Sequence, residues 1–427
     1  MWGGSFVKVL VVGSGGREHT ISWALNKSPL ISKVYCAPGN AGIANVAQLV
    51  DIGVFEFKKL VQFVKNEEID FVFVGPDDPL AQGIVDEFEA AGIKAFGPNK
   101  AAAEIEGSKI FMKNLLRKYN IPTAKYETFT NYDAALSYLR AQDIPIVIKA
   151  DGLAAGKGVT VAYTLAEAEE ALKSIMVDKV FGEAGNQVVI EQFLEGQEMS
   201  ILAFVDGETV VPMVPAQDHK AIFDGDKGPN TGGMGTYTPL PHIDQAIIDE
   251  AIVSIIEPTA KAMVSEGRPF RGVLFAGLMI TKDGPKTIEF NARMGDPETQ
   301  VVLPRLKTDL AEIVLAALNG KLADVKVEWD DEAAVCVVLA SEGYPASYPK
   351  GKEITGLSEA EALGALIFHA GTAEKDGKIV TNGGRVLGVV GRGKDIASAR
   401  AHAYEAVKHI HFDGMQNRTD IANKALV

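Results

Sequence analysis

The sequence predicts a multidomain chain of α/β and α+β type, with a doubly wound N-terminal α/β domain and a small C-terminal α+β domain. Three observations lead to this fold class. Buried strand signals alternate with helical patterns up to about residue 107. A glycine-rich hairpin lies between two strand signals near residues 146–162, and a last group of strand signals follows an acidic run at 329–332. We therefore predict domains at 1–107, 108–320 and 321–427, with a flap subdomain at about 123–193.

The composition is that of an ordinary globular protein and excludes several classes of partner. The 427 residues are 47% hydrophobic and 23% charged, with a net charge of −14 at pH 7. Nucleic-acid and anionic-membrane binders present a basic field, so we expect neither partner. Cys36 and Cys336 fit neither a disulfide framework nor a metal knuckle, and the apolar run at 7–12 is too short for a membrane span. We predict a cytoplasmic protein, with residues 1–5 as a flexible leader.

The N-terminal domain is predicted from four strand signals with helical patterns between them. The first strand runs into a glycine turn at 13–16, where the amides of Gly15 and Gly16 can hold the phosphate of a small substrate at a helix N-terminus. A dinucleotide fingerprint is not indicated, because Glu18 replaces the third glycine and no acid ends the next strand. A purely structural turn fits almost as well. The strand signals are Val7–Val12, Lys33–Cys36, Phe71–Val74 and Lys94–Phe96.

The loops after these strands fall at the carboxyl end of the sheet, where ligands of such domains bind. Asn40 and Asp77 lie in these loops and are candidate contacts for a ribose or an amine. Both residue types are also common in turns, so each signal is weak alone. Arg17 and His19 are interpreted as packing or capping groups.

The central segment begins with a helix that Ser108 can cap and that carries Lys109. A strand ending at Lys149, a glycine-rich loop at 151–158 and a second strand follow. The loop is not a Walker loop, because Gly158 follows the lysine and a strand replaces the helix. Three glycines and Lys157 instead predict a flap whose amides fold over phosphates.

The strand at 188–192 leads out of this sheet. Its exposed backbone at Gln192, Phe193 and Leu194 can read an adenine edge, and Glu198 can accept ribose hydroxyls. A domain crossover with solvated acids explains the same residues.

A long, mostly non-periodic stretch at 217–235 is predicted to be a functional loop, since such loops are rare in compact domains. Asp218 suits an ammonium group and Lys220 suits a phosphate, whereas His219 is interpreted as structural.

The strand at 287–291 alternates so that Glu289 and Asn291 share one face, with Ile288 on the other. Two oxygen ligands side by side, followed by Arg293, suit a Mg²⁺-nucleotide and an anionic substrate. An edge strand with a solvated face fits the alternation equally well. In the last domain, the turn at 382–385 can reach a neighbouring site or simply close a hairpin.

Eight motifs carry a resemblance that covers nearly the whole chain. The sequence resembles the ATP-grasp superfamily and, within it, the glycinamide ribonucleotide synthetase family. The motifs at 148–159, 228–235 and 289–300 are the specific ones. They are G-G-R-E-H at 15–19, A-P-G-N at 37–40, E-G-S-K at 106–109, I-K-A-D-G-L-A-A-G-K-G-V at 148–159, Q-D-H-K at 217–220, G-P-N-T-G-G-M-G at 228–235, E-F-N-A-R-M-G-D-P-E-T-Q at 289–300 and T-N-G-G-R-V-L at 381–387.

The resemblance implies a central ATP-grasp fold and ligation of glycine to 5-phosphoribosylamine through glycyl phosphate in purine synthesis, with ATP and Mg²⁺ or Mn²⁺. It also implies a monomer in transient contact with the upstream amidotransferase. Taken with the patterns above, the expected nucleotide contacts are Lys109, Lys149, Gly152, Gly156, Lys157, Gly158, Glu191, Gln192, Phe193, Leu194 and Glu198. The expected substrate contacts are Gly15, Gly16, Asn40, Asp77, Asp218, Gly232, Gly233 and Arg293. The expected catalytic residues are Arg293, Asp296 and Lys220. The expected metal ligands are Glu289 and Asn291.

The chain departs from the family pattern at Ala221, where arginine is usual, and at Asp77, where glutamate is usual. Three alternatives stay open. Another ATP-grasp ligase, using formate or bicarbonate, would share the nucleotide site but not the 217–235 loop. An oxidoreductase would need the missing strand-end acid. A non-catalytic ATP-binding module would not need Glu289, Asn291 and Arg293 together.

Overall fold

The computed structural model describes residues 6–154 and 156–427. The predictions for residues 1–5 and for position 155 of the flap lie outside the described residues. In the part of the chain that the structure describes, no helix combines the length and apolar character needed to cross a bilayer. Cys36 and Cys336 are both buried free thiols.

The N-terminal sheet is parallel and has the strand order β3-β2-β1-β4-β5. Its central strands are apolar and buried on both faces, as expected of a sheet covered by helices on both sides. The four predicted strands are present, with one short extra strand. The elements are β1 Val7–Gly13, α1 Gly16–Asn26, β2 Ile31–Pro38, β3 Gln48–Leu49, α2 Phe57–Asn66, β4 Phe71–Val74, α3 Asp77–Ala81, α4 Ile84–Ala90, β5 Lys94–Phe96 and α5 Lys100–Gly107.

The predicted flap has its own antiparallel sheet, with the order β6-β9-β7-β8 and two helices packed on it. Ser108 caps the preceding helix by accepting a hydrogen bond from the Phe111 amide, as its sequence position indicated. The elements are α6 Lys109–Lys118, β6 Tyr126–Phe129, α7 Tyr132–Arg140, β7 Ile146–Ala150, β8 Val159–Ala162, α8 Leu165–Met176 and β9 Val188–Gln192.

A second antiparallel sheet of order β11-β10-β16-β17 forms the wall opposite the flap. The stretch predicted to be a non-periodic loop at 217–235 contains three short strands and the first residue of a fourth, so that prediction was wrong in its local structure. A π-helical turn, Ile252–Ile256, joins α9 and α10. The elements are β10 Gln197–Asp206, β11 Thr209–Pro212, β12 Gln217–Asp218, β13 Ala221–Phe223, β14 Lys227–Asn230, β15 Gly235–Thr238, α9 Gln245–Ala251, α10 Glu257–Ser265, β16 Arg271–Thr281, β17 Gly284–Asn291, α11 Thr299–Val302 and α12 Leu310–Leu318.

The C-terminal sheet has the order β12-β15-β18-β22-β19, so two of its strands come from the central segment. β15 pairs with β18 from Gly235 opposite Val337 to Thr238 opposite Ala334. The predicted boundary at 320/321 therefore cuts through a sheet, and the three-domain division stays a prediction. The remaining elements are β18 Ala333–Ala340, α13 Leu357–Ala362, β19 Leu366–His369, β20 Thr372–Lys375, β21 Lys378–Thr381, β22 Arg385–Gly393 and α14 Ile396–Val407.

Candidate active site

Two adjoining cavities lie where the flap, the central sheet and the C-terminal segment meet. The main cavity has a volume of about 360 Å³ and is rich in charged side chains. The flap cavity, about 280 Å³, lies between the flap strands and β10, β16 and β17. The two share lining residues, among them Lys220 and Glu289. Two ligands bound in these cavities would therefore meet at a common wall.

β17 carries the predicted metal ligands into this common wall. Glu289 and Asn291 both line the main cavity, as their shared strand face predicted. Ile288 does not lie on the opposite side. A β-bulge skips it, because Glu289 pairs with Gly277 while Thr287 pairs with Leu278, and Ile288 lines the flap cavity together with Glu289.

The donor set of β17 fits a divalent cation shared with a phosphorylated ligand. The Glu289 carboxylate makes no hydrogen bond or ion pair with another described residue, so its oxygens are available. The Asn291 Oδ1 atom accepts only a long bond of 3.4 Å from Arg293. Within residues 6–154 and 156–427, no group of three or more His, Cys, Asp or Glu side chains could hold a metal. One carboxylate and one amide suit Mg²⁺, which takes its other ligands from phosphates and water.

Arg293 is held at the cavity by a glutamate that comes from α5. The Arg293 Nη2 atom lies 3.0 Å from Glu106 Oε1, and Glu106 Oε2 accepts a hydrogen bond of 2.7 Å from the Ala292 amide. Burial raises the pKa of Glu106 to about 7, although Arg293 acts in the opposite direction. The Arg293 Nε atom is buried and has no hydrogen-bond partner among the described residues. It is a free donor beside the cavity.

Asp296 lies between two arginines. Its backbone oxygen accepts a hydrogen bond of 2.9 Å from Arg385 Nη1, and its Oδ1 atom lies 3.7 Å from Arg385 Nη2. Its Oδ2 atom accepts a weak bond of 3.4 Å from the Arg17 amide. Burial alone would raise the pKa of the Asp296 carboxyl, but Arg385 and Arg17 hold it below its usual value. Asp296 is therefore charged at neutral pH.

Lys220 and Glu298 line the other side of the main cavity, and the buried Asp218 lies behind Lys220 without lining the cavity. Lys220 Nζ lies 3.1 Å from Asp218 Oδ2. Burial would lower the pKa of Lys220, but Asp218, Glu298 and Glu289 raise it above its usual value. Burial and the Asp218 charge raise the pKa of Glu298 to about 7. One cation thus faces several carboxylates, and the excess of negative charge favours binding of a second cationic group.

The lysines expected to clamp phosphates lie at the flap. Lys109 Nζ donates a hydrogen bond of 2.7 Å to the Gly152 carbonyl, so the glycine loop rests on this lysine. Lys149 forms an ion pair with Glu191, and Lys113 Nζ lies 2.5 Å from the other Glu191 oxygen. The Glu191 carboxylate is buried between these two lysines. Glu191 also lines the flap cavity, so its predicted nucleotide contact stays a prediction, while its charge pairs with the two lysines.

The other flap residues are divided between the two cavities. Gly152, Gly156 and Gly158 line the main cavity, and Gly156 also lines the flap cavity. Lys157 is exposed and is not one of the described lining residues. The adenine-edge candidates line the flap cavity, namely Gln192, Phe193, Leu194 and Glu198.

Two substrate-site predictions in the N-terminal domain are corrected by hydrogen bonds. The Asn40 amide donates to the carbonyls of Ser14 and His369, at 2.9 and 2.8 Å. Its oxygen accepts from the amides of Gly42 and Ile43, both at 3.0 Å. All four hydrogen-bonding positions of this buried side chain are thereby used. Asn40 is a structural residue and not a substrate contact.

The glycine turn at Gly15 and Gly16 holds a carboxylate of the chain itself. Glu18 Oε1 accepts hydrogen bonds from the amides of Ser14 and Gly15, at 3.2 and 3.1 Å. The Gly15 amide is therefore already used by Glu18, whereas the phosphate contact of Gly16 stays a prediction. The turn is also a close contact, since a Cβ at Gly16 would lie 2.6 Å from Gln300 Nε2.

The remaining substrate predictions reach the main cavity only in part, because Asp218 and Gly233 are not among its described lining residues. Asp77 and Gly232 line the main cavity, and Gly233 packs against Asp218. His219 is buried with its ring bonded to the Gly235 carbonyl, which agrees with its structural interpretation.

Four charged residues that line the main cavity were not predicted as site residues. Arg17 was interpreted as a packing group, although it follows the glycine turn directly. Glu106 begins the E-G-S-K motif, Glu298 lies inside the 289–300 motif, and Arg385 ends the turn at 382–385. Each stood in a recognised segment, but only the tertiary structure shows that it faces the cavity.

Comparisons with known proteins agree with this architecture. Residues 7–106 match the phosphoribosylglycinamide synthetase N domain, residues 107–299 its ATP-grasp (A) domain and residues 334–424 its C domain. A phosphoribosylamine–glycine ligase from Halalkalibacterium halodurans is 53% identical over 420 residues, which cover 98% of this chain and 97% of that protein.

Solved structures show the same fold. The phosphoribosylamine–glycine ligase from Thermotoga maritima has a TM-score of 0.86 at 37% identity, covering 97% of this chain and all of that chain. The biotin carboxylase domain of a 2-oxoglutarate carboxylase from Hydrogenobacter thermophilus, in complex with MgADP and bicarbonate, has a TM-score of 0.72 at 14% identity, covering 97% and 92%. That second likeness shows the fold alone. The expected α/β and α+β multidomain class is confirmed, and the chain belongs to the phosphoribosylglycinamide synthetase family, with a central ATP-grasp domain.

Proposed function

We propose that this chain catalyses the ATP-dependent ligation of glycine to 5-phosphoribosylamine, giving glycinamide ribonucleotide, ADP and phosphate, in purine biosynthesis. Membership of the family supports the activity. The observation that carries the assignment of the site is the common wall of the two cavities. Glu289 lies in this wall, between the flap cavity, which suits a nucleotide, and the main cavity, which is lined by charged side chains. Phosphoryl transfer depends on such positioning and charge neutralisation, so no nucleophilic serine or cysteine is required.

The nucleotide binds in the flap cavity. The backbone of 192–194 reads the adenine edge, and Glu198 accepts the ribose hydroxyls. Lys109 and Lys149 face the phosphates, with Lys149 oriented by the buried Glu191 carboxylate. Amides of the 152–158 loop then close over the phosphate chain.

Glu289 and Asn291 hold the divalent cation, Mg²⁺ or Mn²⁺. When bound, this ion neutralises negative charge on the β- and γ-phosphates.

Glycine binds in the main cavity beside the common wall. Arg293 offers its free Nε donor to the glycine carboxylate. Asp218 accepts the glycine ammonium, and the buried Glu298 beside it adds a second acceptor. This places the carboxylate, and not the amine, toward the γ-phosphate.

The reaction proceeds in two displacements. A carboxylate oxygen of glycine attacks the γ-phosphorus, the bond to ADP breaks, and glycyl phosphate forms. The amine of phosphoribosylamine then attacks the carbonyl carbon, inorganic phosphate leaves, and the amine loses a proton. Lys220 balances the charge of the departing phosphate. Asp296 is held in place by Arg17 and Arg385, and it orients the phosphoribosylamine whose amine contacts Asp77.

The finer predictions on partners and location belong to this proposal. A monomer that contacts the upstream amidotransferase transiently would shorten the path of an unstable amine. The cytoplasmic location is expected from the free, buried thiols of Cys36 and Cys336.

One assay tests the activity and the metal ligand together. Phosphate release from ATP is expected only when glycine and freshly made phosphoribosylamine are both present. Glu289→Ala should lower kcat by about a thousandfold or more, because it removes the one carboxylate of the proposed cation site. Asp283→Ala, at the turn of the same β-hairpin, is the control and should keep wild-type activity.

Two outcomes would contradict the proposal. Phosphate release that requires formate or bicarbonate in place of glycine would assign the chain to another ligase. Wild-type turnover by Glu289→Ala would show that the cation site is not on β17, whereas the proposed reaction would still stand.

A further inference from the structure

A C-terminal segment packs on the loop that carries the glycine-site residues. This segment, residues 418–424, is here called the latch. It contacts the β13–β14 hairpin, which is inserted between Lys220 on one side and Thr231 and Gly232 on the other. The latch lines neither of the two cavities among their described lining residues. Any influence on the reaction must therefore pass through the hairpin or through His219 at its base, which the latch also contacts.

Arg418 is the centre of the latch. Its side chain is only 1% exposed, and its Nη1 atom lies 3.0 Å from Asp226 Oδ1 at the hairpin turn. The same atom donates to the Ala221 carbonyl at 3.2 Å, and Nη2 lies 2.8 Å from Asp420 Oδ2. A buried guanidinium needs such pairing, because an unpaired charge is costly away from water. Arg418 thus ties the start and the turn of the hairpin to the latch.

Further contacts hold the hairpin along its length. They connect each part of the latch with a different part of the loop, so that several bonds must break before the hairpin can move. These contacts are Thr419 N to Asp224 Oδ1 at 2.8 Å, Gly225 N to Asp420 Oδ2 at 2.9 Å, Lys424 Nζ to Asp226 Oδ2 at 2.8 Å and Ala422 N to His219 Nε2 at 3.3 Å.

The base of the hairpin transmits its position to the cavity. The amide and hydroxyl of Thr231 both donate to the Lys220 carbonyl at 2.8 Å, which closes the loop at the cavity wall. A rotation of the hairpin would therefore shift Lys220 together with Thr231. We propose that Arg418 is a positioning residue, which fixes the hairpin so that Asp218, Lys220 and Gly232 face the substrates. This inference rests on the proposed assignment of these residues to the glycine site.

The test compares Arg418→Lys, which keeps the charge but loses the forked donor, with Asp226→Asn on the hairpin side. Asp226 is half exposed, so its replacement should leave the fold intact even if the buried arginine tolerates no change. Both variants should raise KM for glycine about tenfold, with a smaller effect on KM for ATP. Trypsin should also cleave the folded protein after the exposed Lys227 about tenfold faster, since the released hairpin opens locally.

Asp413→Asn is the matched control, because among the described residues this exposed carboxylate of the same region pairs with His411 alone, and the variant should behave as wild type. If both test variants keep wild-type KM for glycine, the proposal is overturned, whether or not cleavage after Lys227 accelerates. Asp218→Asn is measured in parallel. If Asp218→Asn also keeps wild-type KM for glycine, the assignment of the glycine site is wrong. If Asp218→Asn raises this KM, the glycine site stands and only the proposal for Arg418 is wrong.

Discussion

Two carboxyl groups that line the main cavity, Glu106 and Glu298, have pKa values raised to about 7 by burial. Each faces a cation, Arg293 in the first case and Lys220 in the second. Their charge therefore changes within the physiological pH range. The electrostatic attraction that holds Arg293, proposed to bind glycine, and Lys220, proposed to contact phosphate, changes with it. Buried carboxyls beside functional cations are a common source of pH-dependent activity.

Glu106→Gln should lower kcat/KM for glycine about tenfold, because the amide can no longer form an ion pair with Arg293. In the wild type, kcat/KM should rise with pH through about 7 as Glu106 becomes charged. The variant should lose part of this rise, which a pH series from about 5.5 to 9 would measure.

Glu104→Gln is the control for this experiment. Glu104 lies on the same helix but forms an ion pair with Arg268, away from the cavity. An unchanged pH profile in Glu106→Gln would mean that the charge of Glu106 has no part in holding Arg293.

Single residues were predictable from the sequence where the chemistry is local to one strand. Glu289 and Asn291 share a face because strands alternate, and they do line the cavity. Asn40 was misjudged because its partner His369 comes from a distant segment. The pairing of Glu191 with Lys113 was not predicted for the same reason. A sequence gives the residue type that could bind a ligand, but not whether the protein has already used its hydrogen bonds.

At the scale of elements, the loop around Gly233 is held by close contacts rather than by periodic structure. Gly233 has a φ of +126°, and a Cβ there would lie 2.5 Å from Pro297 Cδ and 2.7 Å from Asp218 Oδ1. Only glycine fits both the backbone conformation and the space. Gly233 therefore sets the distance between Asp218 and the 296–298 segment.

Gly233→Ala should lower kcat/KM for glycine by about tenfold or more, because the methyl group displaces Asp218. Gly207→Ala is the matched control, since Gly207 also has a positive φ, +64°, but has no atom within 4 Å of the added Cβ. In a thermal unfolding measurement Gly207→Ala should lose about 1 kcal/mol of stability through backbone strain alone, and Gly233→Ala should lose more, because its Cβ also collides with Pro297 and Asp218. Equal losses of activity in the two would show that backbone strain alone is responsible.

Helices and strands with strong patterns were predicted well, including the helix capped by Ser108 and the hairpin of the flap. The stretch at 217–235 was not, because its strands have two to four residues and are stabilised by pairing with β18 and each other. The bulge at Ile288 was missed for a similar reason, since only the register against β16 reveals it.

At the scale of the whole molecule, buried histidines join the first and last thirds of the chain. His19 Nδ1 accepts a hydrogen bond of 2.7 Å from the His369 amide, and His369 Nδ1 lies 2.9 Å from Thr372 Oγ1. Burial lowers the pKa of His369 from 6.5 to about 4, and burial with the neighbouring His369 lowers that of His19 to about 3. Both rings are therefore neutral in the folded protein.

The free energy of unfolding should depend on pH through these rings. Below about 6.5 the unfolded chain binds protons that the folded protein does not, so stability falls as the pH falls toward about 4, by up to about 1.4 kcal/mol per pH unit for each histidine. Glu106 and Glu298 act in the opposite direction, because their raised pKa values favour the folded state at lower pH.

His19→Asn should remove one histidine's share of this slope, measured as the difference from wild type in denaturant midpoints between pH 6.5 and 4. The exposed His409→Asn is the control and should leave the slope unchanged. A His19→Asn curve parallel to that of wild type would mean that His19 is protonated in the folded protein as readily as in the unfolded chain.

The shared C-terminal sheet also has a consequence for how the chain is made. Strand β15 finds its partner β18 roughly a hundred residues later, so a nascent chain that has reached residue 320 leaves one edge of β15 uncovered. Uncovered strand edges promote association between chains. Synthesis in two pieces divided at residue 320 should therefore give an insoluble first piece unless the second is present during its folding. The last quarter of the chain would then act as an intramolecular chaperone for the segment proposed to bind glycine.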